Sequence, residues 1–188
     1  MRILRADQHK RMPWKNGGGE TVEIAVFPEG AGLDDFDWRV SMARVDGDGP
    51  FSSFPGIDRT LAILEGSGMV LDIKGRDPVP LTLETAPYPF PADLPTSATL
   101  IGGTVIDFNV MSRRGKVAHE VTRHTEPVST QPGTMRLVLC SEGSIDIAAA
   151  GERISLGRRD AAILAPTDAV RLLPSDEGEF YLVSFETA

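Results

Sequence analysis

Cysteine, histidine and aromatic residues are scarce in this chain, and each scarcity narrows the chemistry open to it. The one cysteine, Cys140, has no partner for an internal disulfide and fits a reducing cytoplasm. It lies in the apolar run Leu137-Val-Leu-Cys140, where a thiol behaves as a small buried hydrophobe. No Gly-x-Ser-x-Gly elbow supplies a serine nucleophile instead. The three histidines, His9, His119 and His124, are too scattered to read as a cluster that brings imidazoles and a carboxylate onto one ion. His119 and His124 are an odd number of positions apart, so one straight strand would turn them to opposite sides. Neither a metal nor another cofactor is expected. No apolar run approaches membrane-spanning length, and Met1-Arg-Ile-Leu-Arg-Ala-Asp7 contains no apolar leader core. The formal net charge of −8 argues against a nucleic-acid or anionic-membrane partner. The basic run Arg113-Arg-Gly-Lys116 reads as a solvated linker. Any site for an anion must therefore be a local basic pocket on an acidic protein.

Helix signals are also nearly missing. Short alternating or β-branched runs recur between Gly, Pro, Asp and Ser punctuation instead. Thr21 to Phe27 alternates, with Val22, Ile24 and Val26 on one face and Thr21, Glu23 and Ala25 on the other. In Trp38 to Val45, the residues Arg39, Ser41 and Ala43 oppose Trp38, Val40 and Met42. Arg59 to Leu64 and Gly68 to Ile73 are predicted strands joined by a hairpin-like Glu65-Gly-Ser67. Met135 to Ser141, Glu142-Gly143 and Ser144 to Ala148 repeat that plan, and the later segments follow in the same order. An offset that stays in the low to middle seventies is the mark of an internal repeat. The expected fold is all-β, with two antiparallel jelly-roll or barrel units spanning 1–112 and 113–188 and very little helix. Exposed strand edges in such small units also admit a homodimer.

Four ordered motifs stand out. They are Met12-Pro-Trp-Lys-Asn-Gly-Gly-Gly-Glu-Thr21 with Glu23-Ile-Ala25, then Trp38-Arg-Val-Ser-Met-Ala43, then Gly49-Pro-Phe-Ser-Ser-Phe-Pro-Gly-Ile-Asp-Arg59, and Asp107-Phe-Asn-Val-Met111. The strand, Glu-Gly turn and strand pattern resembles a cupin, and the motifs resemble the signatures of the HutD/Ves family over nearly the whole chain. That resemblance implies a bicupin linked to histidine utilisation, with some members described as stress-induced.

The candidate site begins at the glycine run. Gly17, Gly18 and Gly19 could bring backbone N–H groups to an anion beside Lys15 and Asn16, or could be a loop leading into a strand. Arg39 and Ser41 share a strand face, as do Asp107 and Asn109, and Arg59 starts another strand. Arginine's planar fork matches a carboxylate bidentately. The binding reading brings Trp14, Lys15, Asn16, Gly17 to Gly19, Arg39, Ser41, Arg59, Asp107 and Asn109 together on a small carboxylate. The competing reading pairs Arg39 and Arg59 with Asp107, Glu23 or Asp58 and packs Trp14 in the core. The expectation is a non-catalytic, cytoplasmic binding protein whose partner is a carboxylate of histidine catabolism: urocanate, formiminoglutamate or formylglutamate. The alternative is a metal-independent cupin enzyme acting on a similar acid. The second unit, with its Ile147-Ala-Ala-Ala150 tract, is expected to be structural.

Overall fold

The structure, a computed structural model, describes residues 1–15 and 17–187. Its early strands are β1 (Arg2–Leu4), β2 (Lys10–Pro13), β3 (Gly19–Phe27), β4 (Trp38–Val45), β5 (Gly49–Pro50), β6 (Ile57–Glu65) and β7 (Met69–Ile73). Next come β8 (Val79–Leu81), β9 (Tyr88–Pro91), β10 (Thr96–Leu100), β11 (Val105–Arg113) and β12 (Val117–His124). The last are β13 (Val128–Ser129), β14 (Met135–Glu142), β15 (Ser144–Ala149), β16 (Glu152–Gly157), β17 (Ala161–Leu164), β18 (Arg171–Pro174) and β19 (Glu179–Thr187). The one helical turn among the described residues is a short 3-10 segment, Ala6–Gln8. No helix among them is long and apolar enough to cross a membrane. The fold is thus all-β and antiparallel, as the punctuation between short alternating runs indicates.

The chain divides into two compact units. One is Lys10–Ala118; the other joins Met1–His9 to His119–Thr187. The first contains a six-stranded sheet, β2-β3-β4-β11-β6-β9, and a four-stranded sheet, β5-β10-β7-β8. The second contains β1-β17-β14-β19-β12 and β13-β18-β15-β16. The order of the four-stranded sheet therefore recurs strand for strand. Met1–His9 falls in the second unit because β1 pairs antiparallel with β17, and Asp160 takes both the Arg5 guanidinium and the Ala6 N–H.

Each unit encloses its own apolar core. In the first, Ala43, Val45, Leu61 and Ile63 of the larger sheet meet Met69, Leu71 and Ile73 of the smaller. In the second, Val138, Cys140 and Phe180 meet Ile145, Ile147 and Leu172, so Cys140 is indeed a core hydrophobe. Fully burying one such aliphatic side chain contributes about 1.5–3 kcal/mol. A separate cluster of Phe36, Ile57, Ala92 and Met111, with Val26 and Phe54 against it, lies in the first unit.

Two local expectations change. Glu65-Gly-Ser67 does not close a hairpin: β6 pairs with β11 and β9, whereas β7 pairs with β10 and β8 in the other sheet. The chain instead crosses between sheets there. Gly66 and Gly68 take φ of +91° and +104°, and a Cβ on either would meet a backbone carbonyl oxygen at 2.4 or 2.1 Å. Strict alternation in Thr21 to Phe27 is broken by a bulge between Glu23 and Ala25. Glu23 opposes Ser41, but Val26, not Ala25, opposes Arg39. A bulge inserts one residue and re-aims the strand beyond it. Here it keeps both Glu23 and Val26 on the face that carries Ser41 and Arg39.

Candidate functional site

In the first unit, the register places a charged layer within the barrel. Met111 of β11 has Arg39 of β4 on one side and Arg59 of β6 on the other. One same-face step along β11, Asn109 lies between Ser41 and Leu61; one further step, Asp107 lies between Ala43 and Ile63. Ala43, Leu61 and Ile63 belong to the barrel core, so this face points inward. Met111 belongs to the Phe36 cluster beyond. The polar layer is thereby held between two apolar ones. Arg39, Ser41, Arg59, Asp107 and Asn109 are all buried.

Polar groups in such surroundings are costly unless satisfied. Arg39 meets that demand: its Nε donates to Glu23 Oε2 at 2.7 Å. Asp107 Oδ1 accepts from the Asn109 amide. Asp107 Oδ2 and Arg59 Nε are different, for both are buried without a hydrogen-bond partner. The Arg59 guanidinium instead sits over the Phe51, Phe54 and Phe90 rings at 5.2, 5.3 and 5.9 Å. Ring faces attract a cation and fix its position without using its N–H groups. Burial pulls the Arg59 pKa down to about 10, with nearby Asp107 opposing the fall and Arg39 adding to it. Burial pushes Asp107 up to about 7, against the pull of Arg59 and the Ala43 backbone N–H. The site thus offers a positioned cation and a carboxyl group able to change charge near neutrality.

The structure brings together Arg39, Ser41, Arg59, Asp107 and Asn109. It does not bring the glycine run to Arg39. Gly19 opposes Val45 at the far end of β4, about 20 Å along the strand from Arg39. Gly17 N–H donates to the Trp14 carbonyl at 3.0 Å, and Trp14 N–H to the Gly19 carbonyl at 2.9 Å, closing the turn between β2 and β3. The Gly18 carbonyl accepts from Asp46 N–H at 3.0 Å, and Lys15 is exposed. Asn16 lies outside the described residues. Trp14 is half-buried against the barrel core and donates its indole N–H to Thr21 Oγ1 at 2.8 Å. Gly19 is required there, since a Cβ would lie 2.1 Å from the Arg44 carbonyl oxygen and 3.0 Å from the Trp14 ring.

The pairings expected for the two arginines divide. Arg39 takes Glu23, while Asp58 binds Arg114 at 2.7 Å on the surface. Sequence reasoning missed the roles of Phe51, Phe54 and Phe90 around Arg59. A cation–π contact requires the fold to bring ring and guanidinium together. Among the described residues, no three His, Cys, Asp or Glu side chains gather as metal ligands. His9 bonds the Arg159 carbonyl at 2.9 Å, and His124 stacks on Phe180 at 5.2 Å. In the second unit, an open depression beside Gln131, Ala149, Arg153 and Arg171 is lined largely by exposed or half-buried side chains, a poorer setting for discrimination than the buried charges of the first.

Known proteins are similar to this chain in sequence and fold. A protein of Pseudomonas putida, described as an uncharacterized 21.2 kDa protein in the hutC 3' region, is 35% identical over 178 residues, covering 94% of this chain and 89% of the relative. A crystal structure of a conserved protein of unknown function from Pseudomonas aeruginosa PAO1 superposes with a TM-score of 0.89 at 31% identity, covering 98% of each chain. HutD from Pseudomonas fluorescens SBW25, in a structure described as a formate condition, superposes with a TM-score of 0.86 at 29% identity, over 100% of this chain and 98% of that one. The HutD family model matches residues 6–182. The chain belongs to the HutD family.

Proposed function

We propose that the first unit binds a small carboxylate and that the protein thereby modulates histidine utilisation without catalysing a step of it. One observation carries the reading: Arg59 is buried at 5% exposure, caged by three rings, and keeps its Nε without an acceptor. A buried guanidinium N–H left unsatisfied is costly, and a ligand carboxylate supplies the missing acceptor in a charge-assisted bond. Arg39, Ser41, Asp107 and Asn109 complete the wall of the site. The formate condition of the Pseudomonas fluorescens structure makes formate a natural minimal probe. Urocanate, formiminoglutamate and formylglutamate are the candidate ligands because each is a small acid of histidine breakdown. Calorimetric titration of the purified protein with these acids tests the proposal. Saturable heat is expected for at least one; no heat from any of them at millimolar concentration removes it.

A second reading has one observation in its favour. A buried carboxyl with a pKa near 7 is suited to general acid or base work, and Asp107 has one. In that case the protein is a metal-independent enzyme on the same class of acid. Incubation of each acid with the protein, with and without added divalent metal, separates the two. Product formation abolished by Asp107→Asn establishes the enzyme; unchanged substrate in the presence of demonstrable binding establishes the binding protein.

A further inference from the structure

Asp107 Oδ2 is the second unsatisfied atom of the charged layer, and a carboxylate on Arg59 does not satisfy it. Asp107 is 0% exposed, and its other oxygen already accepts from Asn109. In the ionised form, what Oδ2 lacks is a donor. On β11, Asp107 lies two same-face steps from Met111, which neighbours Arg59, so about 13 Å of strand separates the two backbone levels. The charged side chain acting on Asp107 is Arg59 from β6; Arg39 from β4 acts on Arg59 in turn and is itself engaged by Glu23 from β3. The smaller sheet contributes apolar Met69, Leu71 and Ile73 to the same interior, and none of these side chains is a donor.

Building on the carboxylate reading above, we infer that the site selects acids bearing an N–H donor several bonds from the carboxylate, with Arg59 holding the acid and Asp107 accepting from the N–H. Asp107 is then the specificity-determining residue. When Asp107 is ionised, a ligand with the carboxylate alone leaves a buried acceptor unpaired and sets two anions in one low-dielectric space. A ligand with both groups satisfies both orphan atoms. The ionisation of Asp107 near neutrality gives the two ligand types opposite pH dependences. Affinity for an N–H acid rises as pH climbs through the Asp107 transition, because the ionised carboxylate is the better acceptor. Affinity for a plain acid falls over the same interval, because the new charge repels it.

The test compares 4-acetamidobutanoate with 4-acetoxybutanoate, which differ by an amide N–H in place of an ester oxygen. Titrations of the full chain between pH 5.5 and 8.5 should show the amide binding about tenfold or more tighter at the upper end, as a charge-assisted hydrogen bond requires. The pH slopes should have opposite signs, and Asp107→Asn should flatten both. Equal affinities with both slopes falling overturn this inference while leaving carboxylate binding in place. If neither compound binds at millimolar concentration, and the acids named for the first unit also give no heat, the reading on which it rests falls and takes it along. The slopes are read on the unaltered protein, so a poorly folding variant cannot rescue the inference.

Discussion

Asp107 is where burial and charge conflict most directly. Its pKa is raised in the folded state, so the neutral form is favoured there. By linkage, the stability associated with this group is fully present below the ordinary carboxylate pKa and is lost as pH rises to about 7. The unliganded protein should therefore lose on the order of 2–4 kcal/mol from this group between pH 4 and 7, at about 1.4 kcal/mol per pKa unit. Asp107→Asn, which keeps the shape but cannot ionise, should remove that slope from urea midpoints measured across the interval. An identical slope in the variant would mean that the carboxyl is solvated. Arg39 presents the opposite case, a buried charge already matched. Arg39→Ala should cost about 3–5 kcal/mol, because it strands Glu23 rather than because the pair itself is that strong. Replacing both residues, Arg39→Met with Glu23→Leu, should recover most of the loss in the same denaturation assay. A double variant no better than the single one would make the pair itself the source of stability.

At the level of elements, the crossings between sheets are held by backbone proximity as much as by side chains. Gly68 takes a φ of +104° with the Leu81 carbonyl oxygen 2.1 Å from where a Cβ would be, whereas Gly75 has a φ of +84° with open space around it. Gly75→Ala should cost about 1 kcal/mol from its backbone conformation alone. Gly68→Ala must also displace β8, and a loss of about 3 kcal/mol or more in thermal or urea unfolding is expected. Equal losses would show that the crossing is slack. These elements also show what could be read without coordinates. Alternation in Trp38 to Val45 correctly put Arg39 and Ser41 on one face, and the same rule joined Asp107 to Asn109. The rule failed at Glu23, because a bulge depends on the partner strand and leaves no mark in a single strand's pattern. It failed again at Glu65-Gly-Ser67, where glycine signals a positive φ but not whether the chain folds back or crosses to another sheet. The glycine run and Arg39 belong to successive sequence motifs, yet Gly19 on β3 meets the end of β4 opposite to Arg39, a separation only register reveals.

For the whole molecule, a net charge of −8 surrounds the buried Arg59, whose Nε has no acceptor, in one unit. The global field repels an approaching anion, and salt screens that field over a Debye length of about 10 Å at 0.1 M. The buried contact is screened far less. Raising ionic strength from about 0.02 to 0.2 M with a non-binding salt should therefore leave carboxylate affinity unchanged or slightly tighter, in contrast to a surface cluster of lysines. Marked weakening would place the anion on the outside. Ligand binding to the native state alone should also raise the unfolding temperature with the logarithm of ligand concentration above the dissociation constant. The most direct test of carboxylate binding at Arg59 is a crystal structure of the protein grown with formylglutamate at a concentration that saturates it in solution. Binding there predicts a ligand carboxylate oxygen within about 3.2 Å of Arg59 Nε inside the first unit. A ligand bound elsewhere, or a first unit whose Arg59 Nε still has no acceptor at saturation, would contradict it.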